Sequence, residues 1–244
     1  MKDQARVVII GGGITGCCIL YHLAKAGWKD VVLLEKAEIT SGSTCQAAGL
    51  VTMFNVSPTM MRFRKYSIDL YSELGAFEHV GSLRLAASKE QLKDLQRSVS
   101  RAKGIGLEAE IISAEEALRL MPAMTGENLY GAVYIPRDGH LDPHGATYAV
   151  ANAARALGAT IHTDVLVTEI ELSPKREVTK VITNKGEIKT EIVVNAAGIW
   201  AAQVAAMVGA YVPSTPIDHQ HVALKAVPGH EVPKDMPCFR DPDN

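Results

Sequence analysis

The stretch that decides the fold is residues 6–16, RVVIIGGGITG, where a short apolar run meets a cluster of glycines. The run is rich in β-branched residues and predicts a buried central strand of a parallel sheet. Residues 14–25 predict a helix that Gly27 ends, and the stretch VVLL at 31–34 predicts a second buried strand. The start of the chain therefore predicts one β-α-β unit.

The glycines have the spacing G-x-G-x-x-G, formed by Gly11, Gly13 and Gly16. The first permits a tight turn, the second lets a pyrophosphate approach the backbone, and the third lets the helix pack closely on the strand. The helix N-terminus offers N–H groups and a partial positive charge to phosphates. Glycine clusters also form ordinary loops, so it is the position between strand and helix that predicts a dinucleotide-binding site.

Two features after the glycines extend this prediction. Glu35 ends the second strand, 24 positions after Gly11, where a carboxylate accepts hydrogen bonds from ribose hydroxyls and repels a 2′-phosphate. This argues against NADP, and the alternative is a solvated acid at a strand end. Residues 40–50, TSGSTCQAAGL, are rich in small and hydroxyl-bearing side chains, which suits either a cofactor lying on the backbone or a flexible loop.

Composition excludes several classes of protein. With 244 residues, 47% hydrophobic residues and 21% charged residues, the chain is neither disordered nor fibrous. Its net charge of -2 argues against a nucleic-acid partner. Residues 192–217 carry no charge, but their polar residues and two prolines argue against a membrane span. The four cysteines, with Cys17 and Cys18 adjacent, favour a reducing compartment and hence a cytoplasmic protein.

The rest of the sequence does not alternate simply between strands and helices. The predicted elements are a helix from residue 58, a strand at 81–86, helices opening at Ser88 and Ser113, a strand at 130–135, a helix at 143–157, and strands at 161–172, 178–183 and 187–194. This order predicts an α/β fold with an α+β insert. The nucleotide-binding domain would comprise residues 1–75 and 141–210, interrupted by a domain of residues 76–140 and 211–244.

Five motifs in one order carry a resemblance to a known family. They are GGGITG at 11–16, LLEK at 33–36, GST at 42–44 with AAGL at 47–50, DGHLDP at 138–143, and VNAAGIW at 194–200. With them the chain resembles the FAD-dependent amine oxidoreductases of the D-amino-acid oxidase superfamily, and within it the branch of dimethylglycine and sarcosine dehydrogenases. The resemblance implies a Rossmann-like FAD-binding domain interrupted by a mixed-sheet substrate domain.

The resemblance also implies which residues contact FAD, including a backbone contact from Val165 to the adenine. No metal site is predicted, because flavin chemistry needs none. Trp200, the last residue of the fifth motif, is either an aromatic residue of the core or a direct contact to FAD. The predicted cofactor-binding residues are Gly11, Gly13, Ile14, Thr15, Gly16, Glu35, Lys36, Gly42, Ser43, Thr44, Cys45, Gln46, Ala47, Ala48, Gly49, Leu50, Val165, Ala197, Gly198 and Trp200.

Gln46 departs from the family pattern. In the dimethylglycine dehydrogenase branch, a histidine at this position is bonded to the flavin, and a carboxamide cannot form that link because it is a poor nucleophile. We therefore expect noncovalent FAD. Cys45 is the alternative attachment point, but it lies one residue away from the position of the family histidine. A small buried side chain that fills space explains it better.

The resemblance implies oxidation of a secondary or tertiary amine, such as dimethylglycine or sarcosine, by hydride transfer to the flavin and hydrolysis of the resulting iminium. His219 and His221 are the candidate catalytic residues, in a stretch that matches His-Gln-Tyr of that branch; ordinary strand histidines are the alternative. A glycine or D-amino-acid oxidase and a non-catalytic regulatory flavoprotein are the competing functions. The resemblance further implies an N-terminal fragment, with folate as a partner of a C-terminal module beyond residue 244.

Overall fold

The computed structural model describes residues 2–220, 222–225, 227–229 and 231–240. The helices of this part are α1 (Ile14–Lys25), α2 (Pro58–Glu73), α3 (Lys89–Lys103), α4 (Ala114–Leu120), α5 (Pro143–Ala156) and α6 (Ala201–Ala206). The strands are β1 (Val7–Ile10), β2 (Val31–Leu34), β3 (Leu50–Val51), β4 (Ser82–Ala86), β5 (Glu110–Ile112), β6 (Gly131–Ile135), β7 (Gly139–His140), β8 (Thr160–His162), β9 (Val167–Leu172), β10 (Val178–Thr183), β11 (Gly186–Lys189), β12 (Ile192–Asn195) and β13 (Cys238–Arg240).

The chain divides into two compact units. The first unit comprises Met1–Ala48 and Pro143–Gln220, and the second comprises Gly49–Asp142 and His221–Asn244. The FAD-binding and substrate roles of the predicted domains stay predictions. Helix α2 belongs to the second unit, whereas the predicted boundary after residue 75 placed it in the nucleotide-binding domain. The physical reason is that Met61 and Ile68 of this helix are buried in the core of the second unit.

The first unit is built on a parallel sheet with the strand order β12-β1-β2-β8. Helices α1 and α5 pack together beside it, and an antiparallel sheet with the order β11-β10-β9 contributes to the same core. Val8 and Val32 of the parallel sheet lie in one buried cluster with Val181 and Ile188 of the antiparallel sheet. Strands buried on both faces explain why the sequence shows continuous apolar runs there.

The second unit is built on a mixed sheet with the order β13-β4-β6-β5. Strand β13 runs parallel to β4, and the other pairs are antiparallel. Ser88 and Ser113 are the N-cap residues of α3 and α4, and their hydroxyls accept hydrogen bonds from the Gln91 and Glu116 backbone N–H groups at 3.1 Å. The predicted α/β fold with a mixed-sheet insert is therefore confirmed.

Two long predicted strands are wrong, because each one serves two different sheets. The strand predicted at 161–172 is broken at Asp164, whose positive φ of 55° ends β8 in the parallel sheet before β9 begins in the antiparallel sheet. The strand predicted at 187–194 is broken at Thr190, whose backbone N–H donates to Thr179 O at 3.0 Å. In the ranges that the structure describes, no helix is both long and apolar enough to cross a bilayer.

Candidate functional site

The glycine-rich turn joins the ends of β1, α1 and β12 at distances that only glycine permits. Gly11 has a φ of +116°, and a Cβ there would lie 2.3 Å from the Ala196 carbonyl oxygen. A Cβ on Gly16 would lie 1.9 Å from the Gly11 carbonyl oxygen. These contacts match the roles predicted for the two glycines, a tight turn and close helix packing.

Helix α1 directs its N-terminus toward the loop that follows β2. Its N-cap is Gly13, which has no side chain to cap the helix, and the first turn contains no acidic residue. The Ile14 backbone N–H donates to Thr44 Oγ1 at 3.1 Å. The loop thus brings a hydroxyl to the positive end of the helix dipole, an arrangement that suits a phosphate group.

Glu35 is buried at the end of β2, and the backbone fixes its carboxylate in place. Oε2 accepts from the Gly12 N–H at 2.6 Å, and Oε1 accepts from the Ala37 N–H at 2.9 Å. Each oxygen of an ionised carboxylate has a further lone pair, so two acceptor positions remain for a ligand. Gly12 was missed as a functional residue, although a Cβ there would lie 2.9 Å from Glu35 Cβ. The signal for it was its place between Gly11 and Gly13, in a run of three consecutive glycines.

These groups surround a cavity of about 530 Å³ within the first unit, which we call the nucleotide cavity. Its volume lies in the usual range for small-molecule sites, about 300 to 1,000 Å³. Of the predicted residues, those that line it are Gly11, Gly13, Ile14, Thr15, Glu35, Lys36, Gly42, Ser43, Thr44, Ala47, Val165, Ala197, Gly198 and Trp200.

The wall of the nucleotide cavity also contains apolar residues that sequence reasoning missed. Ile10 and Leu34 lie at the ends of β1 and β2, and Val204 and Met207 lie in or just after α6. Their signal was weak, because Ile10, Leu34 and Val204 also belong to the buried core of the unit and Met207 packs against it. A cavity lined by apolar residues as well as by a carboxylate and a helix N-terminus suits a nucleotide with an adenine ring.

Lys36 and Trp200 close one part of the cavity wall. The Lys36 Nζ lies 3.2 Å from the centroid of the Trp200 ring, a cation–π contact between the end of β2 and the turn after β12. Trp200 is partly buried and lines the cavity. Of the two alternatives for this residue, its position favours contact with a ligand.

Other predicted residues lie elsewhere. Gly16 packs against the turn, while Cys45, Gln46 and Ala48 are exposed and do not line the nucleotide cavity. Cys45 Sγ donates to Gly42 O at 3.3 Å within a short 3-10 helix, Ser43–Gln46. The last two residues of the predicted loop, Gly49 and Leu50, belong to the second unit.

Three predicted site residues remain, namely Val165 and the two candidate histidines. The Val165 N–H donates to the Glu35 carbonyl oxygen at 2.8 Å, so a contact to adenine would use the Val165 carbonyl oxygen. His219 is exposed, and its Nδ1 lies 3.2 Å from the Gln220 carbonyl oxygen. His221 lies outside the described residues. The catalytic roles of both histidines stay predictions.

The residues of the nucleotide cavity fit FAD. The fit rests on the donors and acceptors: Glu35 offers acceptors for ribose hydroxyls, the N-terminus of α1 suits the pyrophosphate, and Gly13 lines the cavity with no side chain between the backbone and a phosphate.

Known proteins are similar to this chain in sequence and in fold. The family model described as FAD dependent oxidoreductase matches residues 6–244. The mitochondrial dimethylglycine dehydrogenase of Rattus norvegicus is 38% identical over 249 residues, 98% of this chain and 29% of the relative. The mitochondrial sarcosine dehydrogenase of Homo sapiens is 37% identical over 255 residues, 100% of this chain and 28% of the relative. The crystal structure of L-proline dehydrogenase from P. horikoshii has a TM-score of 0.80 and 34% identity, over 86% of this chain and 57% of that chain.

The chain thus spans less than a third of the length of the two dehydrogenases. The family match, in contrast, covers almost all of this chain and includes the turn, the carboxylate and the loop that form the nucleotide cavity. The chain belongs to the family of FAD-dependent oxidoreductases.

Proposed function

We propose that the chain is the FAD-binding part of an enzyme that oxidises a secondary or tertiary amine. The reaction we favour is oxidative demethylation of an N-methyl amino acid such as dimethylglycine or sarcosine. The observation that carries the proposal is the Glu35 carboxylate, which two backbone N–H groups hold at the edge of the nucleotide cavity. The similarity to dimethylglycine and sarcosine dehydrogenases supports the choice of substrate.

The residues of the nucleotide cavity bind and orient the cofactor. Glu35 would accept hydrogen bonds from the ribose, and the N–H groups at the start of α1 would face the pyrophosphate. Lys36, held against Trp200, places a cation at the cavity wall. Bound FAD supplies the acceptor for a hydride that leaves a carbon next to the amine nitrogen.

Anaerobic titration of the flavin-loaded protein tests this function. We expect dimethylglycine or sarcosine to bleach the visible absorbance of the flavin, with dithionite as the control that the flavin can be reduced. Bleaching by glycine or D-alanine alone would instead favour an oxidase of primary amines. A flavin that dithionite bleaches and no amine reduces would favour a non-catalytic flavoprotein.

The proposal has two further features, a partner and a location in the cell. Folate as a partner rests on the resemblance, and a cytoplasmic location rests on cysteine usage. The cysteines at positions 17, 18, 45 and 238 all lie in the described part of the chain, and none of them forms a disulfide there. Both features stay predictions.

A further inference from the structure

Helix α6 brings one polar side chain, Gln203, to the wall of the nucleotide cavity. The helix has the sequence AAQVAA, so its other residues are apolar. Val204 lies next to Gln203 in the cavity wall, and Met207 follows four positions after Gln203. A single glutamine in an apolar helix matches no local motif, so its role could not be predicted from the sequence.

The carboxamide of Gln203 is open to a ligand. The residue is exposed, and among the residues that the structure describes its side chain has no hydrogen-bond partner. A carboxamide presents an acceptor oxygen and an NH₂ group that donates two hydrogen bonds. Because Gln203 lines the cavity, a ligand in the cavity meets both kinds of group.

Side chains hold the helix that carries Gln203 at both of its ends. At the start of α6, Asn195 Nδ2 donates to the Ala201 carbonyl oxygen at 2.8 Å. Just beyond its last residue, Arg176 Nη2 donates to the Val208 carbonyl oxygen at 2.8 Å. The inner face of the helix is buried. The backbone at Gln203 therefore has a fixed place in the wall, and binding a ligand there costs little ordering entropy.

The other polar side chains of the nucleotide cavity suit other parts of FAD. Glu35 suits the ribose, and Lys36 has only donors and lies against Trp200. The hydroxyl groups belong to the first turn of α1 and to the loop after β2, the region that suits the pyrophosphate; they are on Thr15, Ser41, Ser43 and Thr44. Among the described residues that line the cavity, Gln203 is the only carboxamide.

We infer that Gln203 recognises the adenine base of FAD through its 6-amino group. Adenine places this donor beside a ring nitrogen that accepts, and a glutamine carboxamide matches the pair with its oxygen and its NH₂ group. The amino group has two hydrogens, so the contact to Gln203 and the contact predicted for Val165 can form together. The apolar residues Val204 and Met207 suit the faces of the ring. This inference rests on the FAD-binding part of the proposed function and does not depend on the amine.

Calorimetry with two dinucleotides tests the inference without turnover. The probes are FAD and flavin purine dinucleotide, in which a hydrogen atom replaces the 6-amino group of the base. Each is titrated into the whole chain after its flavin has been removed. We expect FAD to bind about 3- to 10-fold more tightly, which is the effect of one neutral hydrogen bond. Equal affinities, a preference for the purine analogue, or binding of neither would overturn the inference.

Substitutions assign the preference to Gln203. Gln203→Met keeps an unbranched side chain of similar length without the carboxamide, so it should bind both dinucleotides as weakly as the wild type binds the purine analogue. Gln203→Ala should also lose the preference, and it replaces the Met variant if that variant fails to fold. The control is Gln96→Met, which removes an exposed carboxamide from α3 and should leave both affinities unchanged. A preference retained in a folded Gln203 variant, or equal weakening of both dinucleotides, would overturn the inference.

The outcomes separate the inference from the proposed function. Equal affinity for the two dinucleotides, together with reduction of bound FAD by dimethylglycine, would support the amine oxidation and contradict the role of Gln203. A Gln203-dependent preference for FAD in a protein whose flavin no amine reduces would support the adenine contact and contradict the oxidation.

Discussion

The Gly12 N–H donates to Glu35 Oε2 at 2.6 Å, and this bond joins the glycine-rich turn to the end of β2. The two parts of a dinucleotide site, the phosphate turn and the ribose carboxylate, are therefore already connected through the protein. The Ala37 N–H holds the other oxygen at 2.9 Å, so the carboxylate has one defined orientation. A fixed acceptor loses little entropy when a ligand binds.

Replacing Glu35 by Gln should weaken FAD binding about 10- to 100-fold, because hydrogen bonds to a charged group contribute about 1.5–3 kcal/mol. The amide NH₂ cannot accept from Gly12 or Ala37, so the side chain also loses its fixed orientation. Quenching of flavin fluorescence on titration with protein measures the affinity. Glu38→Gln is the matched control, since Glu38 is an exposed acid in the following loop. Wild-type affinity in Glu35→Gln would contradict the ribose role of Glu35.

Replacing Gly16 by Ala should destabilise the first unit by about 3 kcal/mol, because the added methyl group overlaps the Gly11 carbonyl oxygen. Both tryptophans of the chain, Trp28 and Trp200, lie in this unit, so chemical unfolding followed by their fluorescence measures the change.

The control for Gly16→Ala is Gly104→Ala, measured by circular dichroism. Gly104 has a helical φ of −62°, and a Cβ there would lie 3.4 Å from its nearest neighbour, an ordinary contact. We expect a change within about 0.5 kcal/mol. Similar small losses in both variants would show that the turn can relax around a methyl group.

The β-α-β unit could be predicted residue by residue because local signals agree there. Helix α1 and strand β2 have the predicted bounds, since glycines lie before and after the helix and the charged residues Asp30 and Glu35 flank the apolar run of the strand. The strand predicted at 161–172 could not be divided from sequence, because both halves alternate in the same way. Only pairing with β2 on one side and β10 on the other separates β8 from β9.

The candidate site shows the same limit. The glycine turn and Glu35 follow a local spacing and were predictable, whereas Met207 reaches the nucleotide cavity through the packing of α6. The cavity of the second unit that Arg84 and Arg240 line depends on β13 pairing with β4, a contact between residues far apart in sequence. Non-local pairing of short strands leaves almost no local signal, and so neither β13 nor its arginine was predicted.

Denatured protein should release its FAD, because Gln46 is a carboxamide and cannot bond to the flavin. The flavin should appear in the supernatant after acid precipitation, and a denaturing gel should show no fluorescence on the polypeptide. Cys45→Ser is the control for the neighbouring thiol, which is exposed, and it should release the same fraction. Flavin that stays with the wild-type chain and leaves in Cys45→Ser would identify Cys45 as the attachment point.

Asp138 is completely buried between β6 and β7, and burial raises its pKa from 3.8 to about 6 despite hydrogen bonds from Met53 and Ser82. The folded state therefore binds a proton more tightly than the unfolded state does. The stabilising contribution of this group is complete below about pH 4 and is lost as the pH rises through 6.

Asp138→Asn should remove this pH dependence. A shift of this size corresponds to roughly 3 kcal/mol, so the unfolding free energy of the wild type minus that of the variant should fall by about that amount between pH 4 and pH 7. Asn can still accept from the Met53 N–H and donate to the Ser82 hydroxyl oxygen, which keeps both hydrogen bonds of the side chain at position 138. Urea unfolding followed by circular dichroism at both pH values measures the difference.

The control is Asp94→Asn, which replaces an exposed acid on α3 and should show a difference that is almost constant with pH. A constant difference for Asp138→Asn as well would contradict the raised pKa of Asp138, since a carboxyl group whose pKa is the same in the folded and unfolded states adds no pH dependence to the stability.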